Sequence, residues 1–262
     1  MLGVFAKGFK EIAKHPVCLV PGLAAAAVIA VVFFAVIDFF VELAINAVFL
    51  GNIPESGLGE LPFQFFNLYA GSLVPLLLAG LVSLIVVTVT GFFYSNYAKE
   101  LSEKKPSIGS AVSQTIEQGG RILSLILFEI VLAALIMVIF WILFLIMPSA
   151  GIWALVLVFL LAIAIVFVLV KLAFTIPAMA CGGEKLKAAI GKSWEFSDKK
   201  FWTTVLFLII VLIISGIIGF IGSVLSDLVV DEIAVGIIIA VFWAIQIAFV
   251  NFALAFYYLD RE

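Results

Sequence analysis

Two charged residues lie deep inside apolar runs long enough to cross a bilayer, Glu129 and Lys171. A charge at the bilayer centre costs about 3 kcal/mol on insertion scales, so each needs a reason to be there. Both flank one predicted turn, Pro148-Ser149-Ala150, with Glu129 20 residues before Ser149 and Lys171 22 after it. In an antiparallel helical hairpin that spacing brings them to nearly one depth, ~12 Å from the end of the spans at ~1.5 Å per residue. As partners they would offset each other's burial. The pattern fits a proton or ion relay. It fits better a buried pair that fixes the hairpin, or a Lys171 that snorkels toward the headgroups.

Other polar groups follow helical spacing. Asp38, Glu42 and Asn46 recur at i, i+4 and i+8, one stripe on one helix face. The stripe reads as an outer face turned to water. The sharper alternative is an outer cation site completed by Asp227, Asp231 or Glu232, for which two carboxylates one turn apart are thin grounds. Gln246 and Asn251 lie on the last apolar run, and Ser83, Thr88 and Thr90 on the second. Such groups bond across helices for ~0.6 kcal/mol each on average. Ser215, Gly216, Gly219 and Gly222 form a small-residue face, which suits close helix packing first and a contact with a second copy next.

Several chemistries are excluded by what is missing. There is one histidine, His15, and no H-E-x-x-H, G-x-S-x-G or Walker A run. Cys18 and Cys181 are isolated thiols, not a zinc motif. No metal, cofactor, catalytic residue or nucleic-acid partner is expected, and the chain reads as a non-enzyme.

The elements that position these residues follow from composition. The chain is 66% hydrophobic and 12% charged, with a mean hydropathy of +1.35, whereas soluble domains are about 25% charged. Lipid leaves backbone groups no partner but each other, so the spans are helices of about 20 residues. Six are expected, at 17–38, 71–95, 121–146, 152–176, 202–224 and 233–257. The first apolar run continues to Ile37, too long for a cleaved signal segment. Thirteen of the 14 basic residues then fall in alternate connectors: Lys7, Lys10 and Lys14; Lys99, Lys104, Lys105 and Arg121; Lys185, Lys187, Lys192, Lys199 and Lys200; and Arg261. The other connectors carry only acids, among them Glu55, Glu60 and Asp227. Basic residues near span ends stay inside, so both termini are expected in the cytoplasm of a multi-pass protein of the plasma membrane.

Each basic segment is amphipathic at helical spacing. The apolar faces are Leu2, Phe5, Phe9 and Ile12; Ile108, Ala111, Val112 and Ile116; and Leu186, Ala189, Ile190 and Trp194. Pro106-Ser107 marks the start of the second. Ser197-Asp198-Lys199-Lys200 reads as a turn after the third. The fold class is therefore all-α and polytopic, a single membrane domain of six spans. It reads as three pseudo-repeated units, 1–98, 99–182 and 183–262, each an interfacial helix followed by a hairpin.

The run Ala188-Ala189-Ile190-Gly191-Lys192-Ser193-Trp194, followed by Lys200-Phe201-Trp202, resembles the helix before a span in the membrane domain of glycerophosphoryl diester phosphodiesterases. It also resembles related bacterial and archaeal six-span families. Phe9, Lys14-His15-Pro16 and Pro21 resemble the first repeat of that group. The resemblance covers most of the chain but implies only the fold, because that enzyme's soluble catalytic domain has no counterpart here.

The expected function is a non-enzymatic scaffold, assembly partner or lipid-organising factor, with membrane lipids as partners. The alternative is a small transporter or channel-like component using Glu129 and Lys171. The charge sorting carries a topological prediction: cysteines at Ser56 and Ser226 label from outside sealed cells, and one at Ser193 does not. Labelling at Ser193 overturns the orientation.

Overall fold

The computed structural model describes residues 2–32, 61–103, 106–150, 152–199 and 201–261. They form helices α1 (Leu2–Lys14), α2 (Pro16–Val32), α3 (Leu61–Ser102), α4 (Ile108–Glu117), α5 (Gly119–Ala150), α6 (Ile152–Leu172), α7 (Thr175–Ala180), α8 (Leu186–Lys199), α9 (Phe201–Asp227) and α10 (Glu232–Leu259). No strand occurs among the described residues. Five helices are long and apolar enough to cross a membrane, and the pair α1–α2, bent by 101°, supplies a sixth if it acts as one span. The chain is a multi-pass, all-helical membrane protein. The first expected span, 17–38, is described only to residue 32, and Asp38, Glu42 and Asn46 lie outside the described residues.

Local chemistry sets the helix ends. The bend between α1 and α2 falls at His15-Pro16, since a residue before proline is pushed out of the helical region; His15 sits at φ −127°, ψ 66°. Ser107 caps α4, its hydroxyl accepting from Ser110 N, where the sequence places the start. Asp231, weighed above as a cation ligand, instead caps α10 by accepting from Ala234 N at 2.8 Å. Helix α5 runs on through the turn expected at Pro148-Ser149-Ala150, as far as Ala150.

The spans α3, α5, α6, α9 and α10 follow one another in cyclic order, α10 returning to α3. Among the described residues, packing is concentrated at the end that carries the basic residues. Of the α3 side chains described, from Leu77 on, burial begins at Thr88 and reaches Glu100; in α10 it runs from Ala244 to Tyr258. Aromatic rings fill this end. Phe207 stacks on Tyr257 with centroids 3.8 Å apart, Phe5 of α1 lies 5.5 Å from Phe207, and Phe174 lies 5.6 Å from Tyr257. Beyond it, α3, α5, α6 and α9 present Leu78, Leu135, Leu160 and Leu212 outward.

The three amphipathic segments are helices, and α4 and α8 turn part of the expected apolar face inward together with hydroxyl residues beside it. They bury Ala111 with Thr115, and Ala189 with Ser193 and Ser197. Val112 and Ile116 point outward, Ile116 with 73% of its surface free, and Trp194 is partly exposed against Phe167. Small and hydroxyl residues allow the close approach and bond the ends of neighbouring helices. Ser193 and Ser226 are both buried, so exposed Lys187 and Val230 replace them as label positions.

Close approach also explains the glycines. A Cβ at Gly219 would lie 2.6 Å from Nε2 of Gln246, and one at Gly222 2.6 Å from Cβ of Phe242. Those two therefore pack α9 on α10 within the chain, while Gly216 has open space around it. At Gly22 a Cβ would meet the carbonyl oxygen of Ala244 at 2.9 Å and the Tyr94 hydroxyl at 2.8 Å. Gly22→Ala should thus cost about 1–3 kcal/mol through forced backbone movement. Gly216→Ala should be neutral or gain up to about 1 kcal/mol from helix propensity. Unfolding of the purified variants in mixed micelles checks the contrast.

Candidate functional site

The fourth span, expected at 152–176, runs on to Ala180 and is broken within its length. Proline at position 177 lacks an N–H, and its ring collides with the carbonyl four residues earlier, that of Ala173. The helix therefore breaks at Ala173-Phe174 and resumes as α7. The last carbonyls of α6 lose their helical donors there. Helix α8 supplies replacements. The Ser193 hydroxyl donates to Lys171 O at 2.6 Å and accepts from Phe174 N at 3.2 Å. The Ser197 hydroxyl lies 3.3 Å from Val170 O and 2.9 Å from Ser193 O.

The same contact houses Lys171. Its ammonium pairs with Asp198 of α8 and is ringed by Phe167 at 5.3 Å, Trp194 at 5.3 Å and Phe201 at 5.4 Å. Lys171 is 1% exposed, whereas Asp198 remains 58% exposed. Three rings and a carboxylate are a recognition set for an ammonium group, and here the chain fills it with its own. The turn expected at Ser197–Lys200 is helical through Lys199 for the same reason: Ser197 bonds backward, Asp198 holds Lys171, and Lys199 pairs with Glu195 at 2.9 Å.

Glu129 has a different partner. It lies on the α5 face that buries Ile122, Leu125 and Ile126, against α3, and its Oε2 is 2.9 Å from Thr88 Oγ. The expected pairing of Glu129 with Lys171 is thereby corrected. Equal depth in a hairpin says nothing of azimuth: the Glu129 side of α5 meets α3, and the Lys171 end of α6 meets α8. Elsewhere on the spans, the Gln246 amide donates to Ser215 O at 2.6 Å. Asn251 donates to Ile247 O at 2.8 Å, with its oxygen turned toward Gly91 of α3. Trp202 opens α9 with 80% of its surface free.

Sequence reasoning missed Asp198, Ser193 and Ser197. The signal was Ser193 to Ser197 and Trp194 to Asp198, both i, i+4, legible once α8 is carried to Lys199. It also missed a polar seam at the foot of α3. There the buried Glu100 accepts from Ser107 N and from Gln114 Nε2, both at 2.9 Å, and Asn96 donates to Thr115 Oγ1 at 3.1 Å. Among the described residues no three of His, Cys, Asp and Glu converge to hold a metal. No family model, curated protein or solved structure matches the chain.

The cage predicts an asymmetry. Asp198→Ala strands the Lys171 ammonium among rings and should cost about 2 kcal/mol, less than the ~3–5 kcal/mol of a fully buried pair because Asp198 faces solvent. Lys171→Met keeps the packing and should cost less, and the double variant should resemble Lys171→Met alone. A double-mutant cycle on unfolding in lipid reads the coupling.

Proposed function

We propose that the chain is a non-enzymatic scaffold that organises lipid at the cytoplasmic face of the plasma membrane, with six spans and both termini inside. The observation that carries this reading is the outward face of the amphipathic helices. On α4 the large apolar side chains Val112 and Ile116 point away from the bundle, and at the start of α8 Lys185 and Lys187 are exposed. Outward apolar groups and exposed lysines suit the boundary between acyl chains and anionic headgroups. Two further facts support it. Lys171 is committed to Asp198 and three rings, so a relay through Glu129 and Lys171 lacks its second member. In the segment 188–202 that resembles the phosphodiesterase membrane domain, Ser193, Ser197 and Asp198 are spent on holding α8 to α6. The three pseudo-repeats belong to the same reading, each placing one interfacial helix at the headgroups.

In vesicles of mixed phosphatidylcholine and phosphatidylglycerol, the protein should be enriched in anionic lipid at its boundary. Lys185→Glu with Lys187→Glu should reduce that preference roughly tenfold or more, at about 1 kcal/mol per lysine. Spin-labelled lipids of each headgroup measure it. A proton or cation flux abolished by Glu129→Gln, with no headgroup preference, would instead establish the transport alternative.

A further inference from the structure

Counting hydrogens around Thr88 gives a state for Glu129. Thr88 Oγ lies 2.8 Å from Leu84 O and 2.9 Å from Glu129 Oε2. A threonine hydroxyl has one hydrogen to give and two lone pairs to accept with. The Leu84 carbonyl only accepts. Were Glu129 a carboxylate, both neighbours would compete for that one hydrogen. Were it the neutral acid, Thr88 would donate to Leu84 O while the carboxyl O–H donated to Thr88 Oγ, and both contacts would be filled. Thr88 is 1% exposed, so water has no access to make up the difference.

Among the described residues no cation stands by to favour the carboxylate. Residues 77–98 of α3 contain no charged side chain. On α6, Lys171 is held by Asp198. On α5 itself, Arg121 lies two turns nearer the basic end and reaches Met179 O at 3.5 Å. On α4, Glu117 accepts from Ser113 at 3.2 Å. On α8, Lys192 pairs with Glu184 and Lys199 with Glu195, while Lys185 and Lys187 are exposed at the basic end. The position completes the case. Glu129 stands where the packed end gives out: Leu125 and Ile126 below it are buried, and Ile130 and Val131 above it face outward. Lipid-soluble molecules reach that level, and water does not.

We propose that Glu129 is a proton-binding site, held in the folded protein as the neutral acid through its own hydrogen bond to Thr88 Oγ, and that among the described residues it is the carboxyl open to lipophilic carbodiimides. The reaction needs the proton. The acid hydrogen passes to one carbodiimide nitrogen and the carboxyl oxygen bonds to the central carbon. An acyl shift to nitrogen then gives a stable N-acylurea, with every atom retained and no leaving group. An ionised carboxylate carries no such hydrogen and adds only when the carbodiimide takes a proton from the solvent, which hydrocarbon does not supply. The inference stands apart from the lipid-organising reading, because a fixed scaffold and a proton relay both accommodate a neutral acid; the flux measurement separates those two.

The test uses the whole protein in phosphatidylcholine vesicles at pH 7. Treatment with dicyclohexylcarbodiimide should add one reagent mass at Glu129, located by peptide mass spectrometry, while a water-soluble cationic carbodiimide should leave that residue unmodified. Glu129→Gln should lose the adduct and still fold, since its amide donates to Thr88 Oγ as the acid does. Infrared spectra should show a protonated carboxyl band that is absent in Glu129→Gln and moves to higher frequency in Thr88→Val, where the acid loses its acceptor. The mapping and the band are both read on the unsubstituted protein, so a variant that fails to fold leaves the test intact. An unmodified Glu129 with only carboxylate absorption overturns the proposal.

Discussion

Hydrocarbon gives an unpaired carbonyl no partner, and α6 ends with several of them. Pro177 creates the break, and Ser193 and Ser197 close it. That requirement places α8 against the end of α6, and much of the packed end follows from the placement. It sets Trp194 and Asp198 around the Lys171 ammonium. It also brings Phe196 to Phe174 at 4.7 Å, and through Phe174 to the stack of Tyr257 and Phe207. Without hydroxyls at 193 and 197 the break would be costly, and without the break those hydroxyls would have little to hold.

The packed end is aromatic and close-fitting for a related reason. In lipid, burying a leucine against another leucine gains little over burying it in acyl chain. What holds helices together is contact that lipid cannot match: ring on ring, backbone against glycine, and hydrogen bonds across the interface. Phe207 on Tyr257, Gly22 against Ala244, and the Tyr94 hydroxyl on Cys18 O at 2.9 Å are instances of each. Leu135 and Leu160, facing outward, need no such partner.

Hydropathy and charge made the helices legible, since runs such as 202–224 have no alternative in lipid. Cap chemistry made the start of α4 legible at Ser107. What escaped was rotation about each helix axis. Glu129 and Lys171 share a depth, yet only the packed neighbours decide that one turns to α3 and the other to α8. The same applies to the glycine face of α9, where Gly219 and Gly222 meet α10 and Gly216 does not. The end of α6 was legible in principle, because Pro177 forbids a regular helix through Ala173. Asp198 was misread because polar residues in a row suggest a turn, and their i, i+4 relation to Trp194 and Glu195 emerges only along a helix.

The seat of α1 has a consequence for assembly. Its buried face meets α9 and α10, Phe5 against Phe207 and Phe249, Phe9 against Phe249 at 4.7 Å, and Lys7 over the Phe256 ring. Those partners are synthesised long after α1 leaves the ribosome. Until they arrive, Val4, Phe5 and Ile12 have only the membrane surface to rest on. An amphipathic helix with Lys10 and Lys14 exposed is suited to that wait, and its docking becomes a late, long-range closure step in the life of the nascent chain.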